Sequence, residues 1–148
     1  MQARGEIKFR AWDGKKLIST VYPKSNHKFE VDWDGKFKLH TFSERQEITD
    51  EHGESWKQPV WEVVENAVIM QFTGLRDKHG KEIYESDILL ESLSFDEKYA
   101  HVVVWSQDDC AWMFEYDGDL FTASEMNFEQ CEIVGNVYEK PELLEAGK

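Results

Sequence analysis

A chain of 148 residues with 41% hydrophobic and 14% aromatic residues is long enough for one compact domain or two small ones, and too rich in large rings to stay disordered. Its net charge of −13, with no cluster of Lys and Arg to release counterions, argues against direct binding to DNA or RNA. The charge is uneven: residues 1–70 carry 11 basic and 12 acidic side chains, residues 71–148 carry 6 and 18. Such a surface suits solubility, cations or a basic protein partner, and ordinary solvation is the simplest reading. Cys110 and Cys131 lack CxxC spacing and read as two free thiols of a reducing compartment. Met1-Gln-Ala-Arg-Gly-Glu-Ile7 lacks the apolar core of a secretory leader, and no apolar run approaches membrane-spanning length. The expectation is a cytoplasmic protein with no membrane partner.

Short alternating segments follow one another along the chain. Ile7–Trp12 and Leu17–Tyr22 flank Asp13-Gly14 and read as a hairpin whose register stays open between two- and three-residue loops. The next hairpin is better determined. A two-residue loop at Asp34-Gly35 would set Val31 opposite Lys38, mixing faces. A three-residue loop at 33–35 pairs Val31 with Phe37, Phe29 with Leu39 and Asp32 with Lys36, leaving each apolar set on one side. Gly35 then takes the left-handed position. Residues 43–59 are polar, hold Gly53 and Pro59, and show no period; they read as a loop or linker between an N-terminal β unit, 1–60, and an acidic C-terminal β unit, 61–148, the alternative being one compact domain.

Val60–Glu65 is ambiguous and Ala67–Phe72 is a strand. Asp77–Gly80 turns the chain back into Ile83-Tyr84, and Glu85-Ser86-Asp87 is a second tight turn in which Asp87 is suited to accept backbone N–H bonds. Ala100–Trp105 and Ala111–Tyr116 form a further hairpin across Ser106–Cys110, apolar enough for burial on both faces. One short helix is expected near 123–130, with Thr122 and Glu125 as a capping box and Phe121 and Met126 as its hydrophobic staple. Cys131–Tyr138 is the last strand, where Gly135 marks a bulge or a close backbone approach, and Pro141 opens a terminal turn of helix. The fold class is mainly β, with strand spacing that suits small barrels.

Chemistry is sparse. His27, His40, His52, His79 and His101 have no metal-ligand spacing. Asp50-Glu-His-Gly-Glu54 reads as a solvated loop and Asp117-Gly-Asp119 as a turn rather than a calcium loop. There is no GxSxG, no Gly-rich phosphate loop and no reason for Cys110 to be activated. No catalytic, cofactor or metal residue is assigned. Of the six tryptophans, most are expected to fill small interiors, and Trp56 is the one expected at the surface or at a subunit contact.

The run Thr73-Gly-Leu-Arg-Asp-Lys-His-Gly-Lys-Glu-Ile-Tyr-Glu-Ser-Asp-Ile-Leu90, with Ile7-Lys-Phe-Arg-Ala-Trp-Asp13 and Val134-Gly-Asn-Val-Tyr-Glu-Lys-Pro-Glu-Leu-Leu144, resembles the marks of the YopX-like family of phage and prophage proteins. The resemblance spans nearly the whole chain. It implies SH3-like barrel units, two of them with exchanged strands as one arrangement, and a place in a bacterial host cell; it implies no reaction. The family's pattern has Gly where Ser86 stands and often an Asn cap where Lys140 stands, so a left-handed backbone at Ser86 would cost on the order of 1 kcal/mol, and the terminal helical turn is expected to fray. The function expected first is that of a non-enzymatic accessory module that self-associates into a homo-oligomer or binds a host or phage protein with a basic surface. A second is an acidic decoy for a nucleic-acid-binding protein, and a third is an enzyme whose groups meet only in space. The candidate partner-binding residues are Trp56, Asp108, Asp109, Glu115, Asp117 and Asp119.

Overall fold

The computed structural model describes residues 5–19, 21 and 23–146. Met1 to Arg4, with which the leader reading begins, and Thr20 and Tyr22 of the second expected strand lie outside the described residues. The fold is all β, with twelve strands and little helix among the described residues. The chain divides into two compact units, Arg10–Ile69 and Met1–Phe9 with Met70–Lys148.

In the first unit, β1 (Phe9–Trp12) and β2 (Leu17–Ile18) pair antiparallel, with Ala11 opposite Ile18 and Trp12 opposite Leu17. The loop between them has four residues, set by the Asp13 carboxylate, which accepts the Lys15 and Lys16 N–H groups at 2.8 Å each. β3 (His27–Val31) and β4 (Phe37–Thr49) pair as their apolar alternation requires: Val31 faces Phe37, Phe29 faces Leu39, and the Asp32 N–H donates to the Lys36 carbonyl. Gly35 has φ +79°, the left-handed value that the three-residue loop demands of a residue without Cβ. Phe29 and Phe37 stack at 5.5 Å. The buried core of this unit is small, Ala11, Ile18 and Leu39, with Phe29, Val64, Ala67 and Ile69 packed against it.

β4 runs on far past its hairpin with β3 and pairs with β5 (Ser55–Val63) as far as Thr49 opposite Ser55. The loop or linker expected at 43–59 is therefore a two-stranded ribbon. Its residues alternate without an apolar face on either side, so only the backbone ladder, and no buried set, marks it as sheet. The division expected between residues 60 and 61 falls within β5.

In the second unit, β6 (Val68–Arg76) pairs with β7 (Glu82–Tyr84). Strands β8 (Asp87–Ser92), β9 (Lys98–Ser106), β10 (Ala111–Tyr116), β11 (Asp119–Phe121) and β12 (Cys131–Asn136) form one antiparallel sheet in the order β11-β10-β9-β8-β12. This sheet curls into a partly closed half-barrel around the buried cluster Ile83, Leu89, Val103, Phe114, Met126 and Cys131. The helix expected near 123–130 is two separate 3-10 turns, Ala123–Glu125 and Phe128–Gln130. Glu125 does cap the first, accepting the Thr122 N–H at 2.8 Å. Met126 and Asn127 are then extended, which drops Met126 into the core and ends the turn. Gly135 sits at the bulge of β12 against β8, and a Cβ there would stand 3.0 Å from Lys140 Cδ and 3.1 Å from Leu143 Cδ1. The bulge reading of that glycine holds, and the close approach is made by side chains rather than by backbone. The terminal helix α1 is Glu142–Ala146. Among the described residues no helix is long and apolar enough to cross a membrane.

Candidate functional site

The signature run at 73–90 is built for folding. Gly74 has φ +88°, and the Thr73 hydroxyl donates to the Ile83 carbonyl at 2.8 Å while accepting the Leu75 N–H at 3.1 Å, which fixes the irregular β6–β7 pairing. Asp77 is buried and takes three backbone N–H bonds, from His79 and Lys81 at 2.9 Å each and from Ile133 at 3.1 Å. One carboxylate thus closes the turn and ties it to β12. Burial pushes its carboxyl up, but the bonds from Ile133, Lys81 and His79 outweigh that and hold it below the usual range. Asp87, 1% exposed, accepts the Tyr84 N–H at 2.8 Å, and Ser86 between them has φ +71°. The Thr73 hydroxyl and the Asp77 and Asp87 carboxylates of the run are thus occupied by the backbone they fold.

The sequence-derived acids fall into two groups at opposite ends of β10 and are not brought into one cluster. Asp108 and Asp109 lie in the β9–β10 turn, where the Ser106 hydroxyl donates to Asp109 Oδ2 at 2.6 Å and accepts the Asp109 N–H. Asp117 and Asp119 lie at the far end of β10, beyond six strand residues, a span of about 20 Å. Asp117 and Gly118 both have positive φ, 50° and 85°, as a two-residue hairpin turn of right-handed twist requires. Glu115 and Asp117, with Ala100, Val102, Tyr116, Gly118 and Leu144, line an open cavity of about 460 Å³. Among the described residues no group of three or more His, Cys, Asp or Glu is placed to hold a metal ion.

Buried titratable groups serve packing. His101, 4% exposed, sits among Tyr116 and Phe121 rings at 5.6 Å each, and burial pushes its pKa down against the pull of Glu91. The Cys131 thiol donates to the Asn127 carbonyl at 3.2 Å; burial, then Glu91 and Asp77, push it up to about 12, which makes it a poor nucleophile. Cys110 is exposed in the β9–β10 turn, and both cysteines are free.

None of the six tryptophans is buried, against the expectation that most fill the interiors. Trp33, in the β3–β4 loop, is fully exposed; Trp105 packs edge-on to Trp112 at 5.1 Å, and Trp61 edge-on to Phe42 with the Lys28 ammonium 4.7 Å from its ring. The cores take Leu, Ile, Met, Val and Phe instead. Trp56 stands on β5 opposite Ile48, 48% exposed, close to the end of a ribbon where residues 43–47 and 51–59 are all exposed. Asp50 builds that end: its Oδ1 accepts the N–H groups of His52 and Glu54 at 2.9 Å each, and its own N–H donates to the Glu54 carbonyl. Sequence reasoning marked Trp56 and missed the ribbon that carries it. The available signal was the Asp50-x-x-Gly53 turn centred between two equal polar runs.

The all-β architecture, with its curled and partly closed half-barrel sheet, defines the class of this protein by fold. The family model for YopX protein matches residues 8–145, and the chain belongs to that family. Among solved structures it is similar to protein EF1440 from Enterococcus faecalis, at 26% identity over 94% of this chain and 98% of that one, with a TM-score of 0.60. It is also similar in fold to protein yopX from Bacillus subtilis, at 21% identity over 92% and 96% of the two chains, with a TM-score of 0.59. Among curated proteins none matches.

Proposed function

We propose that the protein is a non-enzymatic accessory module of a phage or prophage that acts in the host cytoplasm by associating with protein, in the first place with copies of itself. One observation carries the reading: the β4–β5 ribbon is exposed on both faces over six ladder pairs, apart from half-buried Ile48 and Val60. A two-stranded ribbon in water is marginal alone, and a sheet edge without a cover is a template for another strand. Two SH3-like units with exchanged strands accord with the same reading, since residues 5–9 group with the unit that begins at Met70 rather than with the residues that follow them.

The test is molar mass in solution. Size exclusion with light scattering, from about 1 to 500 μM, is expected to give an oligomer whose fraction rises with concentration. A strict monomer across that range, which also captures nothing from infected or lysogenic cells, would remove the proposal.

A further inference from the structure

Resting on that reading, we infer that the outer edge of β4, residues 43–49, pairs antiparallel with the same edge of a second copy about a twofold axis through Gln46. The ladder decides which backbone groups are free. The Asp50 N–H bonds to the Glu54 carbonyl, so in an antiparallel pair Ile48/Trp56, Gln46/Gln58 and Glu44/Val60 turn their N–H and C=O groups inward. Arg45, Glu47 and Thr49 turn theirs outward from β4, and Ser55, Lys57 and Pro59 turn theirs outward from β5. Pro59 has no N–H, so the β5 edge lacks a donor at its inner outward position. The β4 edge has no such block. β3 covers β4 only as far as Thr41, with one further bond from the Phe42 N–H to the Asn26 carbonyl. Beyond it, among the described residues, no chain segment pairs with the outer side of 43–49.

Charge selects both the occupant and the register. Antiparallel pairing must set outward residues opposite outward residues, which restricts the twofold to whole-residue positions. Centred on Arg45 it would oppose Arg to Arg, and centred on Glu47 it would oppose Glu to Glu. Centred on Gln46 it sets Arg45 opposite Glu47 of the second copy, twice, and Gln46 opposite itself. On that face Lys57 of β5 already lies opposite Glu47 of β4, so the charges alternate Lys57, Glu47, partner Arg45 along the joined sheet. The patch is complementary to itself, as an isologous contact must be. It converts two marginal ribbons into one four-stranded sheet.

The experiment uses two charge reversals on the full chain, Arg45→Glu and Glu47→Lys, followed by light scattering and by sedimentation. Each reversal alone sets like charges opposite twice, and the dimer dissociation constant is expected to rise by about tenfold or more. An equimolar mixture of the two variants is expected to recover a heterodimer. There the new carboxylate of one chain meets the new ammonium of the other, while the unaltered Glu47 and Arg45 meet at the second pair. Gln46→Cys in a Cys110→Ser background is expected to form an intermolecular disulfide, since Cα atoms in such a non-hydrogen-bonded pair lie about 4.5 Å apart. A monomeric wild type overturns the inference and leaves capture of another protein to decide the broader reading. An oligomer indifferent to both reversals, with no cross-link at position 46, overturns the β4 edge while leaving self-association standing through another surface.

Discussion

The two units use sheet for different ends. The unit holding the half-barrel buries six side chains in one cluster and spends its buried carboxylates on its own turns. The unit Arg10–Ile69 has a cluster of only three and extends much of its backbone into a ladder that water reaches from both sides. The charges divide differently too: 9 basic and 11 acidic side chains in Arg10–Ile69, against 8 and 19 in the rest. A near-balanced, weakly buried unit is suited to close contact with a like surface; a strongly negative one is kept apart from its neighbours. Buried core and exposed ladder are thereby assigned to different stretches of one chain.

Substitutions can break that assignment. Phe114 is fully buried and meets Phe128 edge-on at 5.3 Å, so Phe114→Ala should cost about 3–5 kcal/mol in chemical denaturation. Trp56→Ala on the ribbon should stay within about 0.5 kcal/mol when measured on dilute protein. Equal losses would show that the ribbon is part of the stability core after all. Next in size, Asp77→Asn replaces an acceptor of three N–H bonds by a group that can accept at only one oxygen, and should cost about 2 kcal/mol. Because the folded carboxyl lies below its ordinary range, the native contribution is full above that range and is lost as pH falls through the folded value. In Asp77→Asn the acid limb of a stability–pH curve should be shallower.

His101 gives a smaller effect at higher pH. Its folded pKa is depressed by burial, so the unfolded chain takes up a proton first, near about pH 6.5, and stability declines from there as acid is added. His101→Phe should flatten the curve below about pH 6.5; an unchanged slope would assign that decline to other groups. The smallest change is a gain. Ser86 holds φ +71°, and Ser86→Gly should relieve on the order of 1 kcal/mol, raising the melting temperature by about 3 °C. A lower melting temperature would mean that unfolded-state entropy outweighs the relief.

What the sequence discloses tracks what each residue buries. The register of the 27–41 hairpin was legible because Phe29, Val31, Phe37 and Leu39 leave one parity that keeps them on a common side. The turns at Asp77 and Asp87 were legible because a short acceptor beside Gly or Ser has a local task. The ribbon was not, since Glu44, Gln46, Glu47, Lys57 and Gln58 are equally at home in a solvated loop and in a ladder exposed on both faces. Nor were the paired 3-10 turns at 123–130, where a capping box begins a helix that the demand of the core for Met126 cuts short. The acids of 108–119 are plain in the sequence, but their separation along β10 follows from strand geometry.

Pro59 bears on the size of any assembly. A ribbon with both borders able to bond could add copies without end, as a fibre does. In the proposed dimer the β4 border is mated to its twin, and the missing donor at Pro59 weakens the remaining border, which favours four strands over a longer stack. A single imino acid would thus bias a strand-rich chain toward countable particles instead of threads.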